Sequence, residues 1–287
     1  MKKLSILVPT DFTNTGNKAF KDAADYLTYF EGSITPMYVF EPRHGISDII
    51  EDDVAEMKQE LHSRIQNKLL KIAGEYAGGA QINEPIVATG NIAMQIVGAA
   101  ADFDLVFIAT NSRTGLDRLM HSSVANKIIS VCPKPVVVVT DESRLSPLTK
   151  VLILTDMSEN STGVFSYARQ FVAQTGINAD LVHFVHVGPL TTGSSGSIVE
   201  RGRKELCQLK ETYFEEVSDK VKEQVLITSV SGSEAITNLT YSRDYNFVFM
   251  ATLGHSNIRN LMVGSTASTI IRMVDTAVFI VNPQEHA

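Results

Sequence analysis

The fold of this chain is decided by a strand, a loop and a helix start, which begin at Phe247-Val248-Phe249-Met250-Ala251-Thr252-Leu253-Gly254. The apolar beginning of this stretch is typical of a buried strand, and residues 267–274 form a helix-like run. Between them, Gly254 and Gly264 let the backbone approach a ligand where a Cβ would intrude. Ser265 and Thr266 then offer hydroxyl and amide groups at a helix start, which favours an anion. A phosphate site is one interpretation, and an ordinary turn in which Ser265 caps the helix is the simpler one.

The same sequence pattern occurs in two copies along the chain. The matching residues are the pairs Asp11 and Asp156, Gly90 and Gly232, and Ala109 and Ala251. The offset is 145 for the first pair and 142 for the last, so it is nearly constant and far too long for a solenoid repeat. We therefore predict two duplicated domains, residues 1–142 and 148–287, joined by a short polar linker.

Short runs rich in Val and Ile alternate with segments of helical periodicity in each copy. The strands predicted in the first copy are residues 4–9, 34–40, 83–88, 104–109 and 135–140. The first helix is predicted to bury a face formed by Ala19, Phe20, Ala23, Ala24, Leu27 and Phe30. The second-helix stripes are predicted to be Val54, Met57, Leu61, Ile65, Leu69 and Ile72 in the first copy, and Leu206, Leu209, Tyr213, Val217 and Val221 in the second.

This alternation predicts the α/β class, with a doubly wound parallel sheet and helices on both of its faces. In such sheets, ligands bind beyond the carboxyl ends of the strands. Asp11, Asp156 and the loop 251–265 all follow predicted strands. Their position favours the phosphate interpretation over the ordinary turn.

The composition is that of a globular chain, since 44% of the residues are hydrophobic and 20% are charged. The net charge of −7 and the lack of a Lys/Arg cluster argue against a nucleic-acid-binding protein. Cys132 and Cys207 are too far apart in sequence to suggest a disulfide framework or a zinc site. No apolar run approaches the roughly 18 residues that span a membrane. We therefore expect a cytoplasmic protein that binds neither nucleic acid nor membranes.

The repeat unit resembles a domain of the universal stress protein family, and the whole chain resembles a tandem pair of such domains. The nucleotide motif of that family is Gly-x2-Gly-x9-Gly-Ser/Thr. The second copy differs from it at the first glycine alone and reads Ala251-x2-Gly254-x9-Gly264-Ser265. The first copy keeps only the final hydroxyl and reads Ala109-x2-Ser112-x9-Ser122-Ser123. The resemblance implies two Rossmann-like domains of the adenine nucleotide alpha hydrolase-like type, each with five parallel strands in the order 3-2-1-4-5.

The resemblance also implies a site for ATP, with or without magnesium, in the second copy. Carried over by position, Asp156 would face the adenine or ribose, and Val187 would line the base pocket. Met250 and Ala251 would flank the ribose, and Ala251 is compatible with binding if its backbone φ is negative. The residues expected around the phosphates are Gly254, Gly264, Ser265 and Thr266.

The first copy is expected to hold a weaker site that binds nucleotide weakly or not at all, and an ordinary structural loop is the simpler interpretation there. Asp11 and Val39 keep the positions beside the base, and Ser123 keeps the final hydroxyl. Ser112 and Ser122, however, put side chains where the family uses bare backbone. They would narrow a triphosphate site, although their hydroxyls could still donate to a smaller anion.

Two classes of function follow from these residues. The first is a stress-response protein that binds ATP or another adenine nucleotide, mainly in the second domain. The alternative is an interaction or regulatory module that binds no nucleotide and acts through dimer surfaces. A slow ATPase is a third idea, for which His255 alone lies close enough to the motif to be named, and we predict no catalytic residue. No metal site is predicted either, because His183 and His186 would point to opposite faces of a strand.

The final strand of each copy is short and apolar, and it would lie at a sheet edge that invites pairing. These strands are residues 135–139 and 277–281. In many family members this strand joins two single domains into a dimer. We therefore predict that the two copies pair with each other inside one chain as a pseudo-dimer, to which a homodimer of chains could be added.

Overall fold

In a computed structural model of the chain, the described residues are 3–41, 51–110, 118–187, 195–242, 245–252 and 265–282. The elements of the first half are β1 (Leu4–Pro9), α1 (Asn14–Leu27), β2 (Gly32–Phe40), α2 (Glu51–Tyr76), β3 (Gln81–Ile82), β4 (Ile86–Thr89), α3 (Ile92–Ala100), β5 (Leu105–Ala109), α4 (Arg118–Val131) and β6 (Val136–Val139). The elements of the second half are β7 (Lys150–Leu154), α5 (Glu159–Thr162), α6 (Phe165–Thr175), β8 (Asn178–His186), α7 (Ser195–Tyr213), a 3-10 turn (Glu215–Val217), β9 (Val221–Thr228), α8 (Gly232–Ser242), β10 (Phe247–Ala251), α9 (Ser265–Met273) and β11 (Ala277–Val281).

The strands of both halves form one sheet. Its order is β3-β2-β1-β5-β6-β11-β10-β7-β8-β9, and β4 also pairs with β2. The described pairs are parallel except at the junction of the halves, where β6 and β11 run antiparallel with Val137 opposite Phe279. The predicted α/β class, with a mostly parallel sheet and helices packed on it, is confirmed.

Each face of the sheet carries a hydrophobic core that contains residues of both halves. Strand residues alternate between the two cores, so that in β1 Ile6 and Val8 belong to one core and Leu7 belongs to the other. The first core also crosses the junction between the halves. The ring of Tyr26 in α1 lies 5.8 Å from that of Phe171 in α6 and 6.1 Å from that of Phe247 in β10.

The predicted helix faces are partly confirmed. All six residues predicted on the first helix face lie in or against the first core. On α2, Leu69 is fully buried, whereas Leu61 is 48% exposed and does not belong to the buried stripe. Val54 and Met57 lie outside the residues whose side chains the structure describes.

The second-helix stripe of the second copy was predicted too long. The helix α7 ends at Tyr213, because Phe214 leaves helical geometry with φ −126° and buries its ring 5.3 Å from that of Phe165. Val217 then lies in the 3-10 turn, and Val221 is the first residue of β9. Their spacing continues the helical period by chance, so periodicity could not locate the helix end.

The third strand differs between the halves. In the first half it is split into β3 and β4 around Asn83 and Pro85, and proline has no N–H to give to a ladder. The side-chain amide of Asn83 instead donates to the hydroxyl oxygens of Ser33 and Thr35 on β2, at 3.0 and 3.1 Å. In the second half, β9 is continuous over eight residues.

The predicted match between Gly90 and Gly232 does not hold in three dimensions. Gly90 precedes α3 and has φ +135°, a conformation that favours glycine. Gly232 is already the first residue of α8, and its φ is not positive. The two helix starts align instead at Asn91 and Ser231, whose side chains accept from the amides of Met94 and Glu234.

The linker between β6 and β7 is held by buried polar groups. Lys18 Nζ in α1 donates to the carbonyl of Ser143 at 2.7 Å and lies 2.5 Å from Asp22 Oδ2. The hydroxyl of Ser143 donates to the same carboxylate oxygen at 2.9 Å. Farther along the linker, Asn246 Nδ2 donates to the carbonyls of Arg144 and Pro147. The linker is therefore fixed to both halves.

Candidate functional site

The first strand of each half ends in the same tight turn at the carboxyl edge of the sheet. Phe12 follows β1, Met157 follows β7, and each has a φ of 65°. The hydroxyls of Thr10 and Thr155 accept from the amides of Phe12 and Met157, each at 2.9 Å. A bulky residue in the left-handed region is strained, and such strain concentrates at ligand-binding edges.

Both turns hold a predicted site aspartate at this edge. Asp156 Oδ1 accepts from the amide of Ser158 at 3.0 Å and from its hydroxyl at 2.5 Å. Asp11 Oδ1 accepts from the amide and hydroxyl of Thr13 at 2.9 and 2.6 Å. Ser158 and Thr13 are in turn the N-caps of α5 and α1. The helix starts therefore fix the position of both carboxylates, of which Asp156 is half-buried and Asp11 is exposed.

The residues predicted beside the base lie at different depths. Val39 is near the end of β2 and is 8% exposed, whereas Val187 comes just after β8 and donates its amide to the carbonyl of Thr228. The amide of Thr10 donates to the carbonyl of Met37, and the equivalent amide of Thr155 donates to the carbonyl of Val182, so Met37 and Val182 are counterparts. Two residues farther along each strand, Phe184 is therefore the counterpart of Val39. The sequence could not identify this counterpart, because the shift between the halves becomes visible only from strand pairing.

The predicted ribose residues lie at the end of β10. Met250 is buried and Ala251 is half-buried. Phe12 and Met157 are the only described non-glycine residues with a positive φ, so Ala251 has a negative φ. The alanine that replaces the first motif glycine therefore adopts a conformation that suits it.

The two halves differ at the helix that follows the loop. Ser265 is the first residue of α9 and Thr266 is the second, so their amides belong to the first turn and lack intrahelical partners. The equivalent helix α4 begins earlier, at Arg118, so Ser122 and Ser123 lie in its second turn. Gly254, Gly264, Ser112 and His255 lie outside the described residues.

An aromatic and cationic stack stands beside the turn of the first half. The rings of Phe12 and Tyr38 are stacked with centroids 4.6 Å apart, and Lys68 Nζ from α2 lies 3.9 Å from the centroid of Phe12. The register places His183 at the position of Tyr38 in the second half. There, His183 Nδ1 donates to the carbonyl of Thr155 at 3.0 Å. The second half thus has no equivalent stack among its described residues.

The beginning of the motif loop is anchored across the junction of the halves. The hydroxyl of Thr252, which is 4% exposed, donates to Asn282 Oδ1 at 2.7 Å. Asn282 Nδ2 donates to the carbonyls of Ile129 and Cys132 at the end of α4, at 2.7 and 2.9 Å. The first half therefore helps to position Thr252, at the beginning of the motif loop of the second half.

Within the described parts of the chain, no three His, Cys, Asp or Glu side chains are grouped to hold a metal ion. The ring of His186 donates to the carbonyl of Val230 and that of His183 to Thr155, so the two histidines have separate partners. None of the described helices is long and apolar enough to cross a bilayer.

Comparisons with known proteins match both halves to one family. Residues 4–140 and 147–282 each match the universal stress protein family. A universal stress protein of Synechocystis is 28% identical over 173 residues, which cover 60% of this chain and 55% of that protein. A universal stress protein of Methanocaldococcus jannaschii is 29% identical over 143 residues, which cover 47% of this chain and 80% of that protein.

Solved structures match the whole chain in fold. A universal stress protein from Archaeoglobus fulgidus has a TM-score of 0.72 at 18% identity, with 99% of this chain and 98% of that chain covered. A Pseudomonas aeruginosa protein described as functionally unknown has a TM-score of 0.61 at 14% identity, with 98% and 93% covered. At these identities, the likeness concerns the fold.

Proposed function

Because this chain belongs to the universal stress protein family, with two tandem domains, we propose that it binds ATP or another adenine nucleotide in its second half. Asp156 and Val187 would face the base or sugar, and Met250 and Ala251 would flank the ribose. Gly254, Gly264, Ser265 and Thr266 would surround the phosphates. The bound nucleotide would serve as the signal in a stress response.

The observation that carries this proposal is the start of α9 at Ser265. The first amides of a helix have no intrahelical partner, and the helix dipole favours an anion beside them. The motif glycines lead directly into this helix start in the sequence. The negative φ of Ala251 supports the proposal further, since the altered motif position then needs no glycine. Magnesium, if it accompanies ATP, would be bound through the phosphates.

We propose a weaker site in the first half. Asp11 and Val39 would lie on the base side, but the amides of Ser122 and Ser123 lie in the second turn of α4. Amides there donate to carbonyls four residues earlier and are not available to a phosphate. Any anion would have to be bound by side chains, with Ser112 included, so the affinity for a triphosphate should be lower.

The experiment is an equilibrium titration with a fluorescent ATP analogue. The wild type is compared with Gly264→Tyr, which fills the phosphate side of the second half, and with Ser122→Tyr at the matching position of the first half. We expect Gly264→Tyr to weaken binding at least tenfold and Ser122→Tyr to change it less than twofold.

Equal binding by the wild type and Gly264→Tyr would refute the assigned site. No binding by any of the three proteins, with their fold intact by circular dichroism, would instead favour an interaction module that acts through its surfaces. The antiparallel pairing of β6 with β11 is the observation that makes this second function worth testing. We propose that this pairing forms the intramolecular pseudo-dimer in solution and that a homodimer of chains would use another surface.

A further inference from the structure

A pocket lies at the amino edge of the sheet in the first half, opposite the edge that carries the candidate nucleotide site. It has a volume of about 720 Å³ and is formed by the C-terminal ends of α1 and α2 and by the residues that lead into β1, β2 and β3. This volume is typical of sites for small molecules. A ligand bound here would therefore be separate from the proposed nucleotide.

The second half fills the corresponding space with an aromatic ring. The amides of Ala77 and Phe214 each donate to the carbonyl four residues earlier, at the ends of α2 and α7, so these two residues are counterparts. The ring of Phe214 is fully buried, 5.3 Å from that of Phe165. In the first half, Ala77 lines the pocket instead and leaves room for a ligand.

The second half also places a cation here. The strands on either side of the first helix keep the offset of 145 that relates Asp11 to Asp156, so Ala24 on α1 is the counterpart of Arg169 on α6. Arg169 Nη1 lies 3.4 Å from Glu216 Oε2. Ala24 lines the pocket of the first half. The second half thus supplies a guanidinium group where the first half has only a methyl group.

The charged side chains of the pocket favour a cation. Its lining contains the carboxylates of Asp25, Glu31 and Glu75 and the ammonium groups of Lys3 and Lys21. Lys21 Nζ lies 2.6 Å from Asp25 Oδ2, so these two charges offset each other. The exposed carboxylates of Glu31 and Glu75 then outnumber the single ammonium group of Lys3.

The two helix ends add negative charge to the same place. Both α1 and α2 end at the pocket, and the described last turn of each contains no basic residue. The C-terminal end of a helix carries about half a negative charge, which attracts a cation. Lys71 lies 3.9 Å from Glu75, but this pair is exposed and such pairs contribute little.

Apolar side chains line the rest of the pocket. Leu27, Phe30 and Tyr76 are all half-buried there. Aromatic rings offer apolar area to the body of a ligand, and their faces also attract an organic cation. The lining therefore suits a molecule that has both an apolar group and a positive charge.

We propose that this pocket binds a small organic cation, an amine or a guanidine that carries an apolar group. The charged head would meet Glu31 and Glu75, in the place that Arg169 takes in the second half. The apolar group would pack on Phe30 and Tyr76. The second half would not bind such a molecule, because Phe214 and Arg169 already fill the corresponding space.

The experiment is a titration of the full chain, labelled with nitrogen-15, with 4-phenylbutylamine, followed by nuclear magnetic resonance. The backbone amide signals of Gly32, Gly78 and Ala80 should shift as the amine binds, because these residues line the pocket. The anion 4-phenylbutyrate has a body of nearly the same size. It should bind at least tenfold more weakly.

Two variants test the assigned residues. Glu31→Gln combined with Glu75→Gln should lower the affinity for the amine at least tenfold. The matched control is Glu215→Gln combined with Glu216→Gln, which removes two carboxylates at the same end of the second half and should change the affinity less than twofold. Ala24→Arg brings the arginine of the second half into the pocket and should also weaken binding at least tenfold.

Equal binding of the amine and the carboxylate would overturn the proposal, because the charge of the pocket would then select nothing. Unchanged affinity in Ala24→Arg, or shifts confined to residues away from the pocket, would overturn the assigned position. A failure of the amine to shift the three signals at millimolar concentration would also overturn it. Since Glu31 and Glu75 are exposed and Ala24 is half-buried, circular dichroism should show that the variants keep their fold.

Discussion

Phe12 and Met157 occupy the same place in the two halves, and both have a left-handed backbone with φ of 65°. This conformation brings each amide to the hydroxyl of the threonine two residues earlier. It also turns the chain sharply from the strand into the following helix, with the aspartate between them held at the sheet edge. The duplicated strain indicates that the turn is kept for what it positions, because a glycine would adopt it at less cost.

At position 157, glycine should therefore give a more stable protein than alanine, which is the reverse of their usual order. Both Met157→Gly and Met157→Ala remove the side chain, but only glycine adopts a positive φ without strain. We expect the glycine variant to have the higher free energy of unfolding, by about 1 kcal/mol. Urea denaturation of both variants measures this difference. Ala173→Gly, at an exposed position in α6, is the control and should lose about 1 kcal/mol. An alanine variant at 157 as stable as the glycine variant would contradict the prediction.

Asp156→Asn should weaken nucleotide binding by about tenfold, or ~1.4 kcal/mol, because an amide cannot replace a charged acceptor. Its remaining oxygen can still accept from the amide of Ser158, so the turn should persist. The measurement is the increase in melting temperature produced by ATP. Asp11→Asn makes the same change at the weaker site of the first half and should lower that increase much less. If Asp11→Asn had the larger effect, the sites of the two halves would have to be exchanged.

Asp22 should make stability depend on pH. Burial raises the pKa of its carboxyl above the usual 3.8, and this effect outweighs the lowering by Lys18, Ser143 and Lys21. The folded chain then binds the proton more tightly than the unfolded chain. The contribution of Asp22 is therefore present in full below pH 3.8 and is lost as the pH rises through the raised pKa.

The comparison for this prediction is Asp22→Asn, which does not titrate. The free energy of unfolding of the wild type, minus that of the variant, should fall as the pH rises above 3.8, by up to about 1.4 kcal/mol per pH unit. Urea denaturation between pH 4 and pH 7 gives this difference. A difference that rises with pH would mean that Lys18 dominates over burial.

Tyr26→Ala should weaken both halves. The ring of Tyr26 is 6% exposed and contacts Phe30 and Phe107 in its own half and Phe171 and Phe247 in the other. Removing a buried aromatic ring costs about 3–5 kcal/mol. Amide hydrogen exchange should therefore accelerate in β10 as well as in β1. Tyr26→Phe keeps the ring and should change little. Faster exchange in β1 alone would show that the first core is not shared.

Much of the fold could be predicted from the sequence because its signals are local. The run of Ile6, Leu7 and Val8 and its repeat at Leu152–Leu154 identify buried parallel strands, and the aspartate after each strand indicates the ligand edge. The helix that follows the motif loop could also be predicted near Ser265, because the apolar residues after it keep a helical period.

The remaining features depend on contacts between distant residues. The positive φ of Met157 could not be predicted, because methionine rarely adopts a left-handed backbone. The alignment of Phe184 with Val39 can be seen only from the pairing of β7 with β8. Likewise, Asn282 looks like an ordinary residue after a strand. Its role depends on the end of α4, about 150 residues earlier in the chain.

Because β6 and β11 belong to one chain, their antiparallel pairing does not depend on the concentration of the protein. Two separate domains would have to meet by diffusion, and dilution would part them. Covalent connection holds the second strand at an effective concentration on the order of millimolar, so the seam should survive at any protein level. The covalent link also favours pairing of the first domain with the second over pairing of two identical domains. Evolution could therefore alter one domain's ligand site while the other kept its own, and each molecule would still contain one of each kind.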